Sequence, residues 1–169
     1  MDCSTGFPPI VDAHAKVLIL GSLPSAKSIE AFEYYAHPQN VFWRIMGKLF
    51  AAGPDTPYKR RTEILKQNRI AVWDVLASSV RPGSMDSDID QSTARVNDFS
   101  SFLSAHADIQ LVCFNGQKAA AMFGKLVLSG NESMQQNFRF ETLPSTSPAY
   151  ASMSFEDKLA KWSIVSRCK

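Results

Sequence analysis

KVLILG, Lys16 to Gly21, sets the fold. Its apolar residues follow one another without alternation and end at a glycine. Such a run suits a strand covered on both faces, and strands of that kind belong to parallel sheets. Three further runs join it: IAVWDV at 70–75, IQLVCFNG at 109–116 and FRFETLP at 138–144. The segments between them have helical spacing. NVFWRIMGKLF, Asn40 to Phe50, sets Phe42, Ile45, Met46, Leu49 and Phe50 on one face. RTEILKQN follows the loop AAGPDTP. ARVNDFSSFLSAHA, 94–107, aligns Val96, Phe99, Phe102 and Leu103, GQKAAAMFGKLVL starts directly after the third strand, and SFEDKLAKWSIVSRC closes the chain. Strands alternating with helices predict an α/β protein, a three-layer α/β/α sandwich.

With 169 residues, 45% hydrophobic and 20% charged, the chain is expected to form a single domain, residues 1–169. That length buries roughly 70% of the surface of the unfolded chain. VLIL, Val17 to Leu20, is far short of the roughly 20 apolar residues of a membrane helix. The opening MDCSTGFPPIVD lacks a basic segment followed by an apolar one, so no signal peptide is expected. Three scattered cysteines without metal-ligand spacing point to a reduced intracellular protein, with Cys113 a small core residue. A net charge of +2 neither requires nor excludes a nucleic-acid partner. YKRRTEILKQNR, Tyr58 to Arg69, reads as a solvated helix face.

In sheets of this type ligands bind beyond the carboxyl ends of the strands. After the first strand comes GSLPSAKS: Gly21 permits close backbone approach, and Ser25 can cap a short helix. Neither a Walker loop nor GxGxxG is present there. The second strand ends at Trp73 and Asp74; an aspartate there is either buried with hydrogen-bond partners or exposed at a site. Asn115 ends the third strand, where it can cap a helix or read the edge of a base. LPSTSPAYAS, Leu143 to Ser152, is a stiff polar loop that is either a connector or suited to enter a groove. The dense stretch YYAHPQNVFW, Tyr34 to Trp43, follows the first strand and reaches the same end of the sheet. There Asn40 reads as a helix N-cap, Tyr34 and Tyr35 as core or stacking rings, and His37 as an acid, a ligand or a turn residue. A metal site is not expected, since no second His or Cys has suitable spacing.

Four segments, VLILGSLPS, YYAHPQNVFW, VWDVL with FNGQKA, and LPSTSPA, together resemble the uracil-DNA glycosylase superfamily, and most nearly its hypoxanthine-DNA (deoxyinosine) glycosylase branch. They occur in the family's order and span about residues 7 to 165. The resemblance implies a four-stranded parallel sheet between helices, and cofactor-free, metal-free hydrolysis of a deaminated base from DNA by a cytoplasmic, nucleoid-associated monomer. Gly21, Ser22, Leu23 and Ser25 fall in the first motif beside base and water. Tyr35 matches the ring that stacks on the flipped base, and Asn40 the asparagine this branch is thought to use in place of the usual catalytic residue. Ser147 and Pro148, with Ala149, fall in the second motif, on the loop that enters DNA. Leu23 departs from better-known relatives, whose Asp or Asn at that position holds the attacking water. Tyr150 replaces an expected amide.

The residues then suggest a mechanism. The base leaves the stack, lies on Tyr35 and is read by Asn115 and the main chain of Ser22 and Leu23. Ser145, Ser147, Pro148 and Tyr150 enter the vacated duplex and hold phosphates. Asn40 orients water, and His37 and other donors stabilise the departing base. Rival readings are uracil, xanthine or a mismatched thymine as the target, a DNA-damage binder without catalysis, and a small nucleotide-binding α/β domain.

Overall fold

The computed structural model describes residues 3–168. Four parallel strands form the central sheet: β2 (Val17–Gly21), β3 (Ile70–Asp74), β6 (Leu111–Asn115) and β7 (Arg139–Leu143), in the order β3-β2-β6-β7. Every strand residue of β2 and β6 is buried, whereas edge strand β7 is mostly half-buried or exposed. The pleat sends alternate residues to opposite layers. Val17, Ile19, Ile70, Val72, Leu111 and Cys113 face one core, with α2 (Phe42–Phe50), α3 (Tyr58–Gln67) and α7 (Phe155–Trp162). Leu18, Leu20, Ala71, Val112 and Phe114 face the other, with α4 (Phe99–Ala105), α5 (Gln117–Phe123) and α6 (Glu132–Asn137). These are the expected three layers. The Cys113 thiol, buried in the first core, has its pKa raised to about 12 by desolvation.

Helix α2 carries Phe42, Trp43, Ile45 and Met46 into the core, and Leu49 and Phe50 pack at its edge. Each fully buried side chain of this size contributes roughly 1.5–3 kcal/mol. The helix ends at Ala51, which is left-handed (φ 62°) with its N–H on the Gly47 carbonyl. Trp162, at the end of α7, packs edge-on to Phe42 and donates from Nε1 to the Pro144 carbonyl at 2.9 Å. The C-terminal helix thereby anchors the loop that follows β7.

Three strands lie outside the sequence expectation. β1 (Cys3–Thr5), β4 (Leu76–Val80) and β5 (Arg95–Val96) form a small antiparallel sheet, in the order β1-β4-β5. The helix expected over 94–107 is therefore shorter. Arg95 and Val96 pair with β4, and Asp98 starts α4 by accepting the Ser101 N–H at 3.0 Å. Only Val75 separates β3 from β4, and its N–H still bonds the Gly21 carbonyl at 2.8 Å. Asn97 clamps this junction, donating from Nδ2 to the Asp74 carbonyl at 2.8 Å. Asp74 is thus held in register opposite Gly21, where the central sheet ends.

In the central sheet the chain runs from β2 to β3 on one side and returns to β6 on the other. A crevice opens beyond the carboxyl ends at this reversal, where the sequence rule expects a ligand.

Candidate active site

The crevice holds a cavity of about 310 Å³, within the usual range for small-ligand sites. Gly21, Ser22, Leu23, Ser25, Tyr35, His37, Asn40, Asn115, Ser145, Ser147 and Tyr150, all expected from sequence, line it. Pro148 is not part of this wall, although its neighbours Ser147 and Ala149 are.

The loop after β2 forms the floor. Ser25 caps α1 (Ala26–Ala31) as expected: its Oγ accepts the Ser28 N–H at 3.2 Å. The Ser28 hydroxyl in turn accepts the Ala36 N–H at 3.2 Å, joining this loop to the Tyr35 segment. Among the described residues the N–H groups of Ser22 and Leu23 donate to nothing, so both are available to an acceptor on a ligand. Leu23 is buried and brings no polar side-chain group to the cavity.

Tyr35 sits in the left-handed region (φ 55°), which is uncommon for a residue other than glycine. Phe42 stacks on it at a centroid separation of 4.1 Å and 27° between planes, fixing the plane of the tyrosine from one side. Among the described residues its buried hydroxyl makes no hydrogen bond of good geometry; burial raises its pKa, and the neighbouring Asn115 amide opposes that shift. Tyr34 is a structural residue, buried, with its hydroxyl donating to the Pro8 carbonyl at 2.9 Å. Phe42 and Trp43 belong to the core, as expected.

Asn40 lies one position earlier than the cap expectation put it. Val41 is the N-cap, and the Asn40 Oδ1 accepts the Phe42 N–H at 3.0 Å. That bond occupies one lone pair of the amide oxygen; the other and both Nδ2 hydrogens stay available. The side chain therefore starts the helix and still offers an oriented acceptor at the cavity. His37 Nδ1 accepts the Gln39 N–H at 3.1 Å, so the neutral ring carries its proton on Nε2, as a donor.

Asn115 does not cap α5; Gly116 (φ 95°) holds that position without a side-chain bond. Instead Asn115 exchanges two bonds with Thr146. Its Nδ2 donates to Thr146 Oγ1 at 2.9 Å, and its Oδ1 accepts the Thr146 N–H at 2.9 Å. The amide is thus locked in one orientation, with a single N–H and one lone pair left for other partners. Thr146, absent from the sequence expectation, also gives its carbonyl to the Val41 N–H at 3.1 Å, joining the two rim loops. Within the second loop Ser145 Oγ accepts the Ser147 N–H and Ser147 Oγ accepts the Ala149 N–H, both at 3.2 Å. These successive side-chain turns give the stiffness its composition suggests. Tyr150 is exposed; the Lys158 ammonium lies 5.0 Å from the centre of its ring and bonds its carbonyl at 2.6 Å.

Three charged side chains complete the cavity wall, and two of them were not expected from the sequence. Asp74 is 3% exposed, yet its Oδ2 has no hydrogen-bond partner, which meets neither alternative expected for it. Burial, reinforced by the nearby Asp86 charge and opposed by Arg81, lifts its pKa to about 7. Asp86, exposed as a residue but reaching the cavity wall, accepts the Ser22 hydroxyl at 3.0 Å, and desolvation there raises its pKa as well. Arg81, 6% exposed, donates to the carbonyls of Leu23 and Pro24 and so holds the loop after β2 from behind. Both Arg81 and Asp86 arrive on the segment after β4, far along the chain from the loop they touch. Only the acids in RPGSMDSD, so soon after a strand end, hinted at them.

The arrangement can bind a flat polar molecule against an aromatic ring, offer it main-chain donors, and present an acid–base pair and an oriented amide. Among the described residues no three His, Cys, Asp or Glu side chains are grouped to hold a metal ion. Nor is any described helix long and apolar enough to cross a membrane.

The family model of the uracil DNA glycosylase superfamily matches residues 8–166. A hypoxanthine DNA glycosylase of Methanosarcina acetivorans is 37% identical over 165 residues, covering 96% of this chain and 97% of that protein. A hypoxanthine DNA glycosylase of Methanosarcina barkeri is 41% identical over 117 residues, 68% of this chain and 72% of that one. The solution NMR structure of a candidate uracil DNA glycosylase from Methanosarcina acetivorans superposes with a TM-score of 0.81 at 34% identity, covering 99% of both chains. The chain belongs to the uracil DNA glycosylase superfamily.

Proposed function

We propose that this protein is a DNA glycosylase that hydrolyses the N-glycosidic bond of deaminated bases, hypoxanthine above all, and leaves an abasic site. One observation carries the reading: Tyr35, Asn40, Asn115 and the Gly21–Leu23 loop, dispersed along the chain, line one cavity at the carboxyl end of the sheet. The curated relatives named for hypoxanthine support the choice of base.

The base leaves the duplex at a cost of about a few kcal/mol, least for a weak pair such as one containing inosine. It lies on Tyr35, whose plane Phe42 fixes, with stacking worth roughly 1–3 kcal/mol. The N–H groups of Ser22 and Leu23 meet its carbonyl. As the bond lengthens, positive charge grows on the sugar and negative charge on the base. Asn40 accepts a hydrogen bond from water through the free lone pair of Oδ1 and aims it at C1′. A cationic sugar needs only a weak nucleophile, so a neutral amide suffices where Leu23 offers nothing. His37 Nε2–H at the rim is a donor for the departing base. Ser145, Ser147, Pro148 and Tyr150 meet the DNA strand from the second loop.

The test is single-turnover cleavage of duplexes carrying one deoxyinosine, deoxyxanthosine or deoxyuridine, with abasic sites revealed by alkali. Inosine is expected to react fastest, and Asn40→Ala to slow it on the order of 100-fold. Tight binding of inosine DNA without abasic sites would instead make the protein a damage binder, the reading that Leu23 favours.

A further inference from the structure

We propose that Asp74 is a catalytic acid that donates its proton to N7 of the departing purine. The assignment rests on the glycosylase reading above. It begins with a deficit. Among the described residues three buried side-chain atoms lack partners, Tyr35 Oη, Asp74 Oδ2 and Arg81 Nε, and all three residues line the same cavity. Unpaired groups of this kind are costly and call for a reason. Gly21 makes room for the Tyr35 hydroxyl and for the other carboxylate oxygen of Asp74. A Cβ there would lie 2.6 Å from Asp74 Oδ1 and 2.8 Å from the Tyr35 hydroxyl, so both groups converge on the glycine at the base of the site.

The charge state follows from the chemistry. A base that leaves with an electron pair becomes anionic, and two ionised carboxylates beside it would oppose its departure. Asp86 is held by Ser22 and faces Arg81 and Lys118, while Asp74 faces Asp86, Arg81, Tyr34 and Tyr35. When like charges share a site, one of them keeps its proton. Asp74 is the deeper of the two and has no hydrogen-bond donor on its Oδ2, so it is the one that stays protonated, and its raised pKa agrees. With Oδ2 enclosed, the carboxyl presents its Oδ1 side, the oxygen beside Gly21, and an O–H there meets the acceptor edge of the purine, where N7 and O6 adjoin.

The step balances. The C1′–N9 bond breaks and its electron pair passes to the purine ring, while the Asp74 O–H bond breaks and its proton binds N7. Water, oriented by Asn40, bonds to C1′ and gives up a proton, which returns through solvent to the Asp74 carboxylate. The products are neutral hypoxanthine and an abasic sugar. Uracil has no N7, so this acid serves purines. Asp86 acts through Asp74 and is a positioning residue.

The experiment measures single-turnover release of hypoxanthine from an inosine duplex between about pH 5.5 and about pH 8.5, for the wild type, Asp74→Asn and Asp86→Asn. Binding to duplex DNA and circular dichroism check that each variant is folded. The wild-type rate should fall about tenfold per pH unit above about pH 7, and Asp74→Asn should be slower by on the order of 100-fold at pH 6.5 without that descending limb. Asp86→Asn should move the limb to lower pH, since removing a like charge eases ionisation of Asp74. A wild-type rate flat across this range, or an Asp74→Asn rate within about threefold of wild type, would overturn the assignment and leave the glycosylase intact. If Asp74→Asn does not fold, the wild-type and Asp86→Asn profiles still decide. Release of no base by the wild type would overturn the glycosylase reading and this one with it.

Discussion

Tyr34 and Tyr35 are neighbours, and each buries a phenolic hydroxyl, but only the first has a partner. Tyr34 donates to the Pro8 carbonyl, and its own carbonyl accepts from Trp43 Nε1 at 2.7 Å. Tyr35 donates to nothing. The same contrast separates two regions of the cavity. Along the rim, Asn40 is tied to Phe42, His37 to Gln39, and Ser145 and Ser147 to their own loop. These bonds give the rim its shape before anything binds. On the floor, Tyr35, Asp74 and Arg81 each keep an unsatisfied buried atom. A rim that satisfies itself serves to position; a floor that does not is left incomplete until a polar ligand arrives.

The sharpest way to break this contrast is to crowd the floor. Gly21→Ala adds a methyl where Asp74 and the Tyr35 hydroxyl already converge. Base release is expected to fall on the order of 100-fold, since displacements of about 1 Å have that effect. Single-turnover kinetics on an inosine duplex measures it, and an alanine variant with wild-type rates would mean that the floor does not touch the base.

A smaller effect appears in stability. Burial lifts Asp74 from the ordinary 3.8 to about 7, so between those values the folded chain keeps a proton that the unfolded chain has lost. Its contribution is full below the ordinary pKa and is lost as pH rises through about 7. Asp74→Asn lacks this loss. Denaturant unfolding should show the variant gaining on the wild type between about pH 4 and pH 7, by up to a few kcal/mol, and the difference levelling off above. A difference constant with pH would mean that Asp74 is not buried as an acid. A variant more stable yet slower would mark the floor as a place where folding energy is given up for chemistry.

The two tyrosines provide the smallest test. Tyr34→Phe should lower stability by about 1 kcal/mol or more, because the Pro8 carbonyl loses its donor. Tyr35→Phe should leave stability unchanged or slightly raised, since an unpaired buried hydroxyl is removed. Urea unfolding of both proteins compares them directly, and equal losses would erase the distinction between the satisfied and the unsatisfied tyrosine.

The same division governs what the sequence reveals. Three of the central strands, β2, β3 and β6, are legible because continuous apolar runs have few other uses, and α2 because Phe42, Ile45 and Met46 keep helical spacing. The more polar RFETL of β7 is a weaker signal. β4 is not legible, since LASSV is polar enough to pass for a loop, and β5 is two residues of a stretch that otherwise reads as helix. In the site, Tyr35, His37 and Asn40 were visible because they fall in one dense segment. Arg81, Asp86 and Thr146 act through contacts with residues distant in sequence: Leu23, Ser22 and Asn115. Pairings across such separations leave no local pattern. Asp74 was conspicuous as a lone charge in an apolar strand, but sequence could not say that it would be buried and unpaired.

The most direct measurement is mass spectrometry of the products of a single-turnover reaction between the wild-type protein and a duplex with one deoxyinosine. Free hypoxanthine and abasic strand in equal amounts, with normal-base duplexes untouched, are the expected result. An intact inosine strand recovered from a tight complex would contradict it.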